Sequence, residues 1–154
     1  MQPAMSDRSR RILGVIALLA VAGIAVSSVS LAHHYAKSKT SYCDFGETFN
    51  CDVVNRSAYS VVMGVPVALI GVVGYLALLA LATLYRTKAE TPVMLLVGAL
   101  AGLAFALYLT YVEAFVLAVW CILCLSSLTL IFTITLLSAI LLLYSKRGAS
   151  SFSS

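Results

Sequence analysis

Long apolar runs separated by short polar breaks dominate this chain. Four stand out: roughly Ile12 to Ala32, Val61 to Tyr85, Pro92 to Phe115 and Val119 to Tyr144. Each is long enough to span a bilayer, for which about 20 apolar residues suffice. The stretch from Pro92 to Tyr144 is nearly continuous, yet as one helix it would be about 80 Å long. A hydrocarbon layer of about 30 Å requires it to fold back into a hairpin. Glu113 and Trp120 bracket the expected turn, because a carboxylate and an indole both prefer the interface. The expected fold is therefore an all-α membrane protein, one domain over residues 1–154 built as a four-transmembrane-helix bundle. The loop from His33 to Ser60 is its only substantial hydrophilic surface, so a soluble partner must dock there.

Composition agrees with this pattern: hydrophobic residues make up 62% and charged residues 10% of the chain, a balance a water-soluble domain could hardly tolerate. The net charge of +4 speaks for orientation rather than for nucleic acid. Arg8, Arg10 and Arg11 precede the first run, Arg86 and Lys88 join the second to the third, and Lys146 and Arg147 follow the fourth. Seven of the ten basic residues thus fall on one side, which the positive-inside rule makes cytoplasmic. In the long loop, Lys37, Lys39 and Arg56 are balanced by Asp44, Glu47 and Asp52. Both termini are expected on the cytoplasmic side of a cytoplasmic (inner) membrane, with the loop and the turn before Cys121 outside.

The N-terminal arginines followed by an apolar run also look like a secretion signal. The run exceeds the roughly 7–15 residues of a signal core, and an uncleaved span is the preferred reading. Within the spans, Gly98 and Gly102 lie four apart on one helix face and permit close approach by a neighbour. Gly64, Pro66, Gly71 and Gly74 make the second span easy to bend or to pack tightly, and Pro66 is expected in its first turns.

Chemistry enters with four cysteines, placed as two pairs. Cys121-Ile-Leu-Cys124 opens the fourth run, and residues three apart on a helix share a face, so the two sulfurs can meet. A cysteine near a helix N-terminus is held toward the thiolate by the unpaired N–H groups there. Cys43 and Cys51 enclose seven residues in the loop, a comfortable span for a disulfide, which could shuttle electrons or simply staple the loop. All four lie at or near the outer face, where disulfides persist. A tetrahedral zinc site made by all four thiolates is a third and disfavoured arrangement, and no metal is expected. His33 and His34 flank the loop and read as headgroup contacts rather than ligands.

Taken together, Cys43-Asp-x-Gly-x-x-x-x-Cys51-Asp-x-Val-x-x-Ser57-x-Tyr59, then Gly64-Val-Pro66 and Gly71, then Trp120-Cys121-x-x-Cys124, resembles the vitamin K epoxide reductase family, in particular its prokaryotic members. The DsbB-type disulfide oxidases share the chemistry but carry their Cys-x-x-Cys in the first outer loop. The resemblance implies a four-helix bundle around a quinone (ubiquinone or menaquinone), capped by the outer loop. It implies that Cys121 and Cys124 are the active pair, with Cys124 closest to the quinone and forming a sulfur–quinone adduct. Cys43 and Cys51 would be the shuttle pair, exchanging with a thioredoxin-like protein and then with Cys121. Ser57 matches a serine implied to lie near the active cysteines and the quinone, although a serine there can equally cap a helix. Many prokaryotic members carry a fused thioredoxin-like domain, which is not expected in this chain, so the partner would be a separate protein.

The function expected on this footing is a quinone-dependent thiol oxidase supporting disulfide formation outside the cytoplasm. Reduction of vitamin K epoxide through the same thiols, and a non-enzymatic scaffold with a structural loop disulfide, are the alternatives. Tyr108, Tyr111 and Trp120 are expected either to wall the quinone or to anchor the interface. Glu113 could handle protons at the quinone, but a carboxylate at a helix end is more commonly just solvated.

Overall fold

The computed structural model describes residues 5–36 and 44–153; Cys43, Lys37 and Lys39 lie outside them. The first helix, α1 (Asp7–Tyr35), starts at Ser6, whose hydroxyl accepts the Ser9 N–H. Its buried positions, Leu13, Ile16, Ala20, Gly23, Ser27 and Ser30, recur every three or four residues, which gathers them on one face. The loop then forms a two-residue hairpin, β1 (Asp44–Phe45) paired with β2 (Phe49–Asn50), and runs straight into a short helix, α2 (Cys51–Asn55). Asn50 caps α2 by accepting the Val53 N–H at 3.1 Å.

The second apolar run departs from its sequence reading. Residues 61–66 are a tight hairpin, β3 (Val61–Val62) against β4 (Val65–Pro66), rather than the first turns of a helix. Met63 and Gly64 turn it with φ of 54° and 84°, the positive angles that a two-residue hairpin needs and that glycine adopts without penalty. Helix α3 (Val67–Thr83) therefore starts after Pro66, which stands at its N-cap, and has 17 residues. At 1.5 Å per residue it is about 25 Å long. Three other stretches, Asp7–Tyr35, Thr91–Leu117 and Ile122–Ser151, are long and apolar enough to cross a membrane. The described residues thus hold three spanning-length helices and a shorter apolar one.

The third and fourth runs fold back as the length argument requires. Helix α4 (Thr91–Val112) carries Pro92 in its first turn and continues as a wider π turn over Glu113–Leu117. Ala118, with φ of 52°, ends it, and after Cys121 helix α5 (Ile122–Phe152) begins. Several hydroxyls of α5, among them Ser126, Thr129 and Thr133, donate to the carbonyl four residues earlier, which satisfies them inside an apolar span.

The helices alternate in direction. Gly23 of α1 meets Tyr75 of α3, Ser27 meets Gly71, Leu78 meets Gly98, and Gly102 meets Ile131. Leu13, Ile16, Leu78, Leu95, Ile134 and Leu141 form the apolar core between them. The glycine pair of α4 is used inside the bundle, one glycine on α3 and one on α5. Arg10 and Arg86 border one small cleft, so the basic N-terminus and the α3–α4 turn share an end. The loop, both hairpins and the Cys-x-x-Cys gather at the other.

Tyr75 locks three helices together. Its ring lies on the bare backbone of Gly23, and its hydroxyl donates to the Ser127 carbonyl at 2.9 Å. A Cβ on Gly23 would stand 2.4 Å from that ring. Gly23→Ala is expected to lower stability by about 1–3 kcal/mol, the usual effect of overpacking. Gly14→Ala, where an added Cβ meets nothing within 4 Å, should be neutral. Thermal unfolding of the two variants in detergent checks this, and equal midpoints would overturn the contact.

Candidate active site

The loop reaches the Cys-x-x-Cys through its backbone. Asn50 donates its N–H to the Trp120 carbonyl at 3.1 Å, and Trp120 donates to the Thr48 carbonyl at 2.9 Å, a single parallel bridge between Phe49 and Trp120. Residues 51 and 121 follow directly, and both cysteines are fully buried in one small cluster with Val54. Cys51 is disulfide-bonded, whereas Cys121 and Cys124 carry free thiols. In this state the Cys51 sulfur is bonded to sulfur and is not a thiolate ligand. Cys43, the other loop cysteine, lies outside the described residues.

Cys121 is the N-cap of α5, and its sulfur accepts the Cys124 backbone N–H at 3.4 Å. Its thiol is held below the ordinary thiol range, chiefly by the Cys124 side chain donating to the sulfur and against the opposing effect of burial. One turn on, Cys124 packs against the same cluster and also borders a cavity of about 380 Å³ between α1, α3, α4 and α5. Such a volume falls in the range of small-ligand sites. The glycines Gly71, Gly74, Gly98 and Gly102 border it, with Tyr75 and Phe105 among the larger walls. Absent side chains on facing helices leave the room.

Several polar groups gather at the loop end of this cavity, with the Tyr75 and Ser127 hydroxyls deeper in the bundle. Ser57 borders it, but its hydroxyl donates to the Val54 carbonyl at 2.8 Å rather than capping the following 3-10 turn. Asn55 accepts from Ser30 at 2.7 Å through Oδ1, and His34 Nδ1 lies 2.6 Å from the Asn55 carbonyl. His33 is buried against Asp52, 3.3 Å apart. Both histidines are thus turned to α2. They fasten α2 to the end of α1, a role for which the sequence offers only the adjacency of polar residues to the loop.

Glu113 also departs from its sequence reading. It is 1% exposed, because the π turn and the left-handed Ala118 fold the chain back over it. Its Oε2 accepts the Cys121 N–H at 3.0 Å, and a carboxylate oxygen, the Cys121 sulfur and the Cys124 sulfur lie within 4.8 Å of one another. Such a trio could hold a cation as well as exchange protons. Among the described residues, three buried side-chain polar atoms lack a hydrogen-bond partner: Asn55 Nδ2, Glu113 Oε1 and Ser138 Oγ. The first two belong to residues that border this cavity. Tyr108 and Tyr111 are half exposed and do not border it, which leaves them the interface role.

Residues 14–139 match the sequence profile of the vitamin K epoxide reductase family. No curated protein matches the chain.

The depressed Cys121 thiol gives a direct expectation. In a Cys43→Ala/Cys51→Ala background under reductant, thiolate absorbance should appear at a lower pH than for an ordinary thiol. Adding Cys124→Ala removes the donating side chain and should move the onset to higher pH. An onset that stays put would show that Cys124 does not stabilise the Cys121 thiolate.

Proposed function

The chain belongs to the vitamin K epoxide reductase family, a family of membrane oxidoreductases, and on that footing we propose that it is a quinone-dependent thiol oxidase. It takes electrons from a separate thioredoxin-like protein outside the cytoplasm and passes them to the membrane quinone pool. One observation carries the reading. Cys51 and Cys121 are buried side by side under the loop, while Cys124 alone of the described cysteines borders the cavity. The sulfurs are thus ordered from the loop surface inward.

The cavity suits a quinone ring by its chemistry. Its walls are mostly apolar, and the buried Asn55 Nδ2 has a free N–H that a ring carbonyl would satisfy, which matters because an unpaired buried donor costs about 1–3 kcal/mol. Ser57 lies beside it and would complete the polar edge. Bound there, a quinone supplies a two-electron, two-proton acceptor within the bundle.

The residues act in turn. A thiolate of the reduced partner attacks the Cys43–Cys51 disulfide and leaves with the partner oxidised. The freed loop thiolate, which we assign to Cys51 because it shares a buried cluster with Cys121, attacks Cys121 and opens a Cys121–Cys124 disulfide. A second exchange restores the loop disulfide and leaves Cys121 and Cys124 as the dithiol. Closing that pair again delivers two electrons to the acceptor from the Cys124 side. Every protein step is thiol–disulfide exchange, so reduction potentials set the direction.

In this reading α3 is the fourth span, its 17 residues extended by the apolar hairpin that precedes it. The loop and the Cys-x-x-Cys face outward, and both termini lie in the cytoplasm, as the shared end of Arg10 and Arg86 favours.

The test is quinone reduction by the protein in membranes or detergent, driven by a reduced thioredoxin-like protein with ubiquinone and with menaquinone. Activity should fall to background in both Cys124→Ala and Cys43→Ala and should survive a chelator. Loss in Cys124→Ala alone would make the loop disulfide a staple, and loss on chelation would hand the site to a metal. If both quinones fail while vitamin K epoxide is reduced, the acceptor is the epoxide; if none is reduced, the scaffold reading stands.

A further inference from the structure

Oxidising a dithiol with a quinone moves two protons as well as two electrons, and the electron path says nothing about the protons. Of the described proton-carrying groups that border the cavity, His34 is engaged at the Asn55 carbonyl, and Glu113 is the one that lies beside both sulfurs. Glu113 is 1% exposed, borders the cavity, and has a carboxylate oxygen within 4.8 Å of both sulfurs. No ion pair joins it to a basic side chain among the described residues. One oxygen is fixed by the Cys121 N–H and the other has no partner. Removing a carboxylate from water without a counter-charge is expensive. A side chain that only needed to cap α5 could do so as glutamine or serine at far lower cost.

We propose that Glu113 is the proton-transfer residue of this site, accepting the Cys124 thiol proton and delivering it to the acceptor bound in the cavity. The role rests on the quinone-oxidase reading above. With Cys121, whose thiol is held below the ordinary range, as the attacking thiolate, Cys124 is the sulfur that still carries its hydrogen. As the pair closes, the Cys124 S–H bond breaks, the proton passes to the Glu113 carboxylate, and an S–S bond forms between Cys121 and Cys124. The two electrons reduce the quinone to a quinol. One quinol oxygen takes its proton from the Glu113 carboxyl. The other takes a proton from the outer aqueous side, replacing the one Cys121 released on forming its thiolate.

The π turn gives this assignment its geometry. The wider turn that follows Glu113, closed by Ala118 and by the Val119 N–H on the Glu113 carbonyl, returns the chain so that the Cys121 N–H meets the Glu113 side chain. Such single π turns recur at functional positions in helices.

Glu113→Gln separates proton transfer from capping, because the amide oxygen can still accept the Cys121 N–H but the side chain can no longer carry a proton. Protein reduced beforehand and mixed with menaquinone or ubiquinone should show a rate lowered by roughly 10²-fold or more in Glu113→Gln. The deficit should shrink as pH rises and solvent base takes over removal of the thiol proton. Glu113→Asp, with the same chemistry on a shorter arm, should keep part of the rate. A second readout needs no quinone. The infrared difference between the dithiol and disulfide forms of the wild type should contain a carboxyl band that Glu113→Gln removes. A Glu113→Gln protein with the wild-type rate and pH profile, or one slowed equally at every pH with no missing carboxyl band, would reduce Glu113 to a cap and overturn the role. A wild type that reduces neither quinone would instead fail the oxidase reading, and this role with it.

Discussion

Two backbone hydrogen bonds, from Asn50 to Trp120 and from Trp120 to Thr48, hold the loop to the start of α5, and the site depends on them. They fix the register that puts residue 51 against residue 121. They also satisfy peptide groups at the margin of an apolar environment, where unpaired N–H and C=O groups are costly. The fastening is reinforced from the opposite side by side chains: Ser30 on Asn55, His34 on the Asn55 carbonyl, His33 on Asp52, and Arg56 on the Ala36 carbonyl. A loop that by composition belongs in water is thus clamped between α1 and α5. The result is that Cys51 and Cys121 are buried together, shielded from solvent.

The bundle beneath solves a different problem. Four closely packed apolar helices would ordinarily leave no space, since protein interiors are as dense as organic crystals. Here Gly71 and Gly74 of α3 and Gly98 and Gly102 of α4 border one space, and Tyr75 ties α1 to α5 through Gly23 and Ser127. The same glycines that allow close approach at one level border the cavity at another. Packing and binding are consequently not separable in α3: Gly71 touches Ser27 and also borders the space that Cys124 borders.

Apart from Ser27 and the paired Tyr75 and Ser127 hydroxyls, the polar groups of that space gather at its loop end. Asn55, Ser57, Glu113 and Cys124 border it there, while the remainder is lined almost entirely by apolar atoms. An apolar chamber with a polar, thiol-bearing end fits a ligand with a hydrophobic body and a carbonyl head. The unpartnered Asn55 Nδ2 and Glu113 Oε1 are the atoms a bound molecule would complete. Both residues are held by a hydrogen bond accepted at another side-chain atom, Asn55 Oδ1 and Glu113 Oε2, so their free atoms are presented in a fixed position.

Much of this was legible in the chain itself. Apolar runs of membrane length, the break between the third and fourth, and the one-sided placement of arginines and lysines follow from the transfer cost of charge, which acts residue by residue and needs no partner. The order of the two cysteine pairs was equally visible, and so was the capacity of Cys121 and Cys124 to meet, because helical spacing is a local property. What the sequence could not decide depends on which surfaces come together. Val61 to Pro66 is as apolar as any helix, yet it folds as a hairpin because Met63 and Gly64 turn with positive φ. Glu113, which by composition belongs at the interface, is buried because a π turn and a left-handed alanine fold the chain over it. His33 and His34 meet Asp52 and Asn55 only once α2 docks on α1. The one-dimensional pattern determined what had to be in the membrane; tertiary packing decided which polar groups were drawn in with it, since burying them is tolerable only where a partner from elsewhere in the chain, or a bound ligand, completes them.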